Sequence, residues 1–219
     1  MVQRVTLKEQ VYTHLKKAII NEELKNGEIY SEQSIASELN ISRTPVREAI
    51  LQLQQEKMID IYPSRGFMVK PMSLEECKKI LQLRVAIEGF SAMHMARNIH
   101  RQDAQELLTQ LEEYLHFEES MLNNPEKSYD FMDSDVQFHL HIISYTNNEY
   151  FVSTIDTLRS RMERVINKTL QVRGRMGHGL SEHQAIFECI RHGDEYGAFL
   201  ALRKHMDNTE ELISKMNFS

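Results

Sequence analysis

Four residues in the later part of the chain have the types and the spacing of a metal site. Asp135 and His139 are four residues apart, so a helix would project both from one face toward a shared ion. His183 and His205 each stand 11 residues from Asp194, on either side of it. If Gly193 and Asp194 turn the chain between antiparallel helices, both imidazoles reach the same height. One carboxylate and three imidazoles from three helices form a nitrogen-rich set suited to a divalent ion, Zn²⁺ or Ni²⁺ first and Fe²⁺ or Mn²⁺ after them. A D-x-x-x-H pair is equally the pattern of a solvated helix face or of an i, i+4 hydrogen bond. On these residues alone a metal-dependent enzyme and a metal-only sensing switch both stay open.

A different chemistry is written at Ser42-Arg43-Thr44-Pro45-Val46-Arg47. Val46, Ala49, Ile50 and Leu53 follow the i, i+3, i+4, i+7 rule and define one buried helix face, which leaves Arg43, Thr44 and Arg47 off it. Ser42 is expected to cap this helix, and Pro45 falls in its first turn, where a missing N–H costs little. A shorter helix opened by Ser31 precedes it across a tight break at Asn40-Ile41, the layout of a helix-turn-helix. An arginine fork can meet guanine O6 and N7 or bridge phosphates, and Thr44 can bond a phosphate or meet a thymine methyl. The same residues also fit an ordinary solvated helix surface.

Positioning these groups falls to elements that are mostly helical. The 219 residues (25.7 kDa) include 8 Gly, 4 Pro and no Trp, with long runs rich in Leu, Met, Glu, Gln and Lys, so the class is mainly α. Leu7 to Asn21 forms a first helix, and Met58–Tyr62 with Phe67–Lys70 flank Pro63-Ser64-Arg65-Gly66 as a small hairpin. A boundary falls at Lys70-Pro71-Met72-Ser73, giving domains 1–72 and 73–219. After it, helices are expected from Ser73 to about Ile99, Gln102 to Leu122, Ser128 to Tyr145, Tyr150 to Val172, Ser181 to Arg191 and Asp194 to Lys215. Residues 1 to 70 carry 10 basic against 9 acidic residues and the remainder 16 against 23, so a net charge of −6 conceals a near-neutral first part. Cys77 and Cys189 have no CxxC spacing and read as small core residues. The 12 Met fill irregular core. No stretch approaches the roughly 20 apolar residues of a membrane span, and the start MVQRVTLKEQVYTHLKK lacks a signal-peptide core, so no membrane partner and a cytoplasmic protein are expected.

Residues 7 to 70 resemble the winged helix of the GntR family of bacterial transcription regulators, through the Gly27 turn and the run YSEQSIASELNISRTPVREAILQLQQEKMIDIYPSRGFMV. The resemblance implies that Arg43, Thr44 and Arg47 contact double-stranded operator DNA and that the wing tip at Arg65 and Gly66 approaches the minor groove or backbone. Gly66 has its own physical reason, since a tight wing turn calls for positive φ and close approach. Lys57 departs from the family pattern, which has Gly there, and is expected to bend the wing differently. DSDVQFHLHI, LSEHQAIFECI and RKHMDN resemble the ligand-binding FCD-type domain of the FadR subgroup. That implies a bundle of six or seven helices with a metal held by Asp135, His139, His183 and His205 at the floor of a small-molecule cavity. Arg84 is then expected to clamp the carboxylate of a small organic-acid effector, although an i, i+4 ion pair with Glu88 accounts for it as well. Asn167 and Glu182 are further effector candidates. The expected protein is a ligand-responsive repressor, not an enzyme, that acts as a homodimer.

Overall fold

The computed structural model describes residues 5–216. The chain divides into two compact units that meet in sequence at Ser73 and Leu74.

The first unit begins with α1 (Leu7–Ile20), whose N-terminus is closed by a reciprocal capping box between Thr6 and Glu9. β1 (Ile29–Tyr30), α2 (Glu32–Glu38), α3 (Arg43–Gln55), β2 (Ile59–Tyr62) and β3 (Gly66–Val69) follow. Val11, Leu15 and Ile19 of α1 bury against the apolar face of α3, where Val46, Ala49, Ile50 and Leu53 are all sealed from solvent. This is the face that the spacing predicts. The turn between α2 and α3 is made by Asn40 at φ 53, a left-handed conformation that Asn tolerates better than most residues.

The sheet is antiparallel in the order β1-β3-β2, with Ile59 opposite Val69 and Tyr62 opposite Gly66. β1 was not among the expected elements. Two residues carry no alternation for a periodicity argument to detect. Its presence gives Gly66 a second role: at φ 123, a Cβ there would lie 2.1 Å from the Tyr30 carbonyl oxygen. Lys57 keeps a backbone conformation that glycine adopts readily. It adopts φ 59, taking the left-handed geometry at a cost of order 1–3 kcal/mol that the surrounding packing must hold.

The second unit is a bundle of α4 (Leu74–Arg97), α5 (Gln102–Met121), α6 (Ser128–Ser144), α7 (Glu149–Leu170), α8 (Arg175–Arg191) and α9 (Glu195–Ser214), with a 3₁₀ turn at Pro125–Lys127. The mainly α class therefore holds. α4 lies along α9, and α8 packs on both α9 and α5. Among the described residues no helix is long and apolar enough to cross a membrane.

Most helix bounds match expectation within two residues, but α8 starts six residues before Ser181. The glycine-rich stretch 174–179 reads as a break because each Gly costs a helix about 1 kcal/mol relative to Ala. Only Gly174 is outside, at φ 83. Gly177 and Gly179 are helical, and Gly179 faces the Phe131 ring at a distance where a Cβ would make ordinary contact. Arg175 secures the first turn through Glu182 and Thr209. Between α8 and α9, Gly193 at φ 71 turns the chain and Asp194 caps α9 through the Gly197 amide.

Candidate metal centre and nucleic-acid interface

Asp135 and His139 sit one turn apart on α6, while His183 and His205 come from α8 and α9. All four are buried, and each offers a ligand atom within 4.8 Å of every other. His183 Nε2 is 3.4 Å from Asp135 Oδ2, and His139 Nε2 is 4.0 Å from Asp135 Oδ1. The Gly193–Asp194 turn does bring the two later histidines level, with ring centroids 5.0 Å apart.

The donor set can be tested against a metal by asking which buried polar atoms lack partners. Asp135 Oδ1, His139 Nε2 and His183 Nε2 have no hydrogen-bond partner among the described residues. Leaving a buried polar group unsatisfied costs about 1–3 kcal/mol. One divalent cation facing these atoms would satisfy them together, so the residues fit the group.

The opposite nitrogen of each ring meets a carboxylate. Glu118 on α5 is 2.8 Å from His183 Nδ1, and Glu182 on α8 is 2.7 Å from His205 Nδ1. Glu88 on α4 is 2.8 Å from His139 Nδ1, as an ion-pair contact without hydrogen-bond alignment. Carboxylates behind the imidazoles fix ring orientation and raise the basicity of the nitrogen that faces a metal.

Charge in the pocket is strongly coupled. Burial alone would push the Glu88 carboxyl up, but Arg84 and His139 outweigh it and bring it down to about 2. Burial alone would push the Asp135 carboxyl up as well, but His183, His139 and His205 together hold it well below the carboxylate range. Burial lowers His205 to about 3 and keeps its ring neutral. Burial also disfavours charge on His183, yet Glu118 and Asp135 together push it up to about 10. Two carboxylates that retain a proton on this ring present the same negative field to a divalent cation.

Arg84, buried in α4, forms the i, i+4 pair with Glu88 and also lines a cavity. Its Nε donates to Glu88 Oε1 at 2.5 Å, and it lines a small cavity of about 10 Å³ with Asp135, His205, Arg175 and Thr209. Glu182 and Asn167 do not line that cavity. Glu182 is engaged by His205, Arg175 and Asn208. On α7 the cavity wall is Ile166, Thr169 and Leu170, one helix face by spacing, and the buried Asn167 lies beside it.

Sequence reasoning missed Glu118 and Arg175. Glu118 was detectable, because it continues the buried stripe Ala104, Leu108, Leu111, Leu115 on α5, and a carboxylate on an apolar stripe calls for a partner. Arg175 was hidden by the glycines around it.

In the first unit, Arg43, Arg47, Arg65 and Gly66 line one open groove of about 640 Å³ between α3 and the wing. Thr44 is exposed at the start of α3 but outside that lining. Both α3 arginines converge on Glu32 of α2, at 3.1 Å from Arg43 and 3.0 Å from Arg47. Hydrogen bonding by Arg47, aided by Arg43, lowers the Glu32 carboxyl below its usual range against a smaller opposing effect of burial. Ser42 occupies the N-cap but its hydroxyl makes no capping bond. A Ser at this position ordinarily accepts from the amide at N2 or N3, and here N3 is Pro45, which has no N–H.

Residues 79–208 match the FCD domain family, and residues 7–69 match the bacterial regulatory proteins of the gntR family. The chain belongs to the gntR family of regulators that carry an FCD domain. It is therefore a bacterial-type transcription regulator with a helix-turn-helix unit for binding DNA. It is similar to the HTH-type transcriptional repressor RspR of Escherichia coli, 26% identical over 208 residues that cover 95% of this chain and 89% of the relative. The gluconate operon transcriptional repressor of Bacillus licheniformis is 25% identical over 212 residues, covering 94% of this chain and 85% of that one. Among solved structures, a GntR protein from Rhodococcus sp. RHA1 superposes with a TM-score of 0.79 at 19% identity, covering 96% of this gntR-family chain and 99% of its own. E. coli McbR/YncC gives 0.77 at 21% identity, covering 98% and 100%. These two likenesses concern the fold.

Proposed function

We propose that this gntR-family regulator, of the FadR subgroup, is a cytoplasmic repressor whose helical unit binds one divalent metal and a small carboxylate and so controls the affinity of a homodimer for operator DNA. The observation that carries the reading is the buried set Asp135, His139, His183 and His205, with three polar atoms unpartnered and every imidazole backed by a carboxylate. Zn²⁺ or Ni²⁺ suits the three imidazoles best, with Fe²⁺ or Mn²⁺ next. A bound ion would supply positive charge and a coordination position for one oxygen of an acid. Arg84 would orient that acid through its guanidinium. Glu88, Glu118 and Glu182 hold the three rings in register for the ion.

Two relatives named as repressors support repression, and engagement of Glu88, Glu118 and Glu182 with imidazoles supports regulation over metal-dependent catalysis. A metal-only switch draws support from one observation: the cavity beside the ligands, about 10 Å³, has room for about one water. Two-fold symmetry in the homodimer would present two recognition helices to a pseudo-palindromic operator. Arg43, Thr44 and Arg47 would read base edges while Arg65 and Gly66 follow the backbone or minor groove.

The test of the DNA-reading half is a gel-shift selection against a genomic fragment library. In Arg43→Ala/Arg47→Ala, specific binding should weaken by about 1–3 kcal/mol for each bidentate arginine–base pairing that the truncation removes. Equal affinity of the folded variant and the wild type would remove these residues from the interface.

A further inference from the structure

The cavity beside the candidate metal ligands is small, at about 10 Å³, while a cleft of about 380 Å³ opens on the outside of the bundle. Of the described residues, Arg175 alone lines both. Its guanidinium is almost buried and is latched at two points, with Nη1 donating to Glu182 Oε2 at 2.9 Å and Nη2 to Thr209 Oγ1 at 3.2 Å. Glu182 Oε2 also takes the 2.7 Å bond from His205 Nδ1. The Thr209 hydroxyl is tied in turn to the His205 carbonyl oxygen. One flexible cation thus separates the metal ligands from the outer cleft and shares its carboxylate partner with one of them.

We infer that Arg175 is the gate through which a small organic anion reaches the metal centre, and that once displaced from Glu182 and Thr209 it becomes, with Arg84, a second cation holding that anion. This rests on the reading that an acid binds beside the metal. Access from the cleft suits an anion, because Arg173, Arg175 and Lys215 line it against the two carboxylates of Glu182 and Glu211. A guanidinium leaves one carboxylate most readily for another of matching geometry. The charge balance selects the class of ligand further. Asp135, Glu88, Glu118 and Glu182 already balance Arg84, Arg175 and a divalent ion, so a monocarboxylate fits better than a dicarboxylate. Departure of Arg175 leaves Glu182 a stronger acceptor for His205, so the metal ligand registers the opening.

Full-length protein loaded with Co²⁺ tests this through the cobalt absorption band, followed by stopped flow on addition of propionate or succinate. Arg175→Ala should speed the spectral change about tenfold by removing the latch, and weaken propionate binding about tenfold by removing the cation. Arg175→Lys keeps the charge but cannot bridge Glu182 and Thr209 together, so it should give the faster change with affinity close to wild type. Arg191→Ala, on the same helix but outside both the cavity and the cleft, should leave the rate unchanged. Rates and affinities equal to wild type in both Arg175 variants overturn the gate while the acid-binding reading stands. Failure to take up cobalt, or no spectral response to either acid in any of the proteins, overturns both. Succinate binding more tightly than propionate overturns the assignment to monocarboxylates.

Discussion

The arginines of α3 and the ligands of the helical bundle are two ways of placing charge. Arg43 and Arg47 lie within one helical turn, more than half exposed, and meet a single carboxylate at the surface. Asp135, His139, His183 and His205 come from three helices, with carboxylates from α4, α5 and α8 behind them, and all four ligands are buried. Surface ion pairs are worth little, typically about 0–1 kcal/mol, and exchange readily for phosphate or base partners. Buried charges cost much more unless each is answered, and removing one partner strands the rest. One unit can therefore release its charges to a partner, whereas the other must hold them in a fixed frame.

The largest effect should come from breaking the buried frame. His183→Ala should reduce bound metal from one ion per chain to none in elemental analysis. It should also abolish any rise in melting temperature on adding metal, a stabilisation of about 4 kcal/mol where free metal is about 1,000 times its dissociation constant. Unchanged stoichiometry would place the ion elsewhere.

Glu118→Gln sharpens the comparison, since it keeps the shape behind His183 and removes the charge. Metal affinity should fall about 10- to 100-fold with the helical content intact, measured by competition with a chelator. Retained affinity would show that Glu118 answers only the folding demand of a buried ring.

The smallest effect belongs to the surface. Glu32→Gln should change thermal stability at neutral pH by less than about 1 kcal/mol. Because the folded state lowers the Glu32 carboxyl, its contribution is present above the ordinary carboxylate range and lost as pH falls toward the folded value. The wild-type and Glu32→Gln stability curves should therefore converge in acid. Curves that stay parallel from neutral to acid pH would show that the Arg43–Glu32–Arg47 contact adds nothing to folding.

The same contrast explains what was legible in the sequence. The recognition helix could be read because its apolar face and its exposed arginines are neighbours in the chain, so one periodicity sorts them. The four clustered residues Asp135, His139, His183 and His205 were legible for a narrower reason: two share a helix face, and the other two are placed symmetrically about the turn at Gly193 and Asp194. Glu118 and Arg175 depend on packing between distant helices, and no local pattern states which helix faces which. Ser42 takes the expected N-cap position without a side-chain capping bond, and Pro45 at N3 removes one of the two amides it could have accepted from. β1 went unseen because its two residues are specified by pairing with β3 and not by their own alternation.

In the proposed switch, the buried candidate metal site and the DNA-reading helices are coupled energetically. Titration calorimetry of a selected operator fragment into metal-loaded and metal-free protein, with the reverse titration of metal into free and operator-bound protein, measures this coupling most directly. Linkage requires the two affinity ratios to be the same, and a coupling of about 1–3 kcal/mol is the expected size. Operator affinity that is identical with and without metal, and unmoved by any small acid added to the loaded protein, would contradict the account.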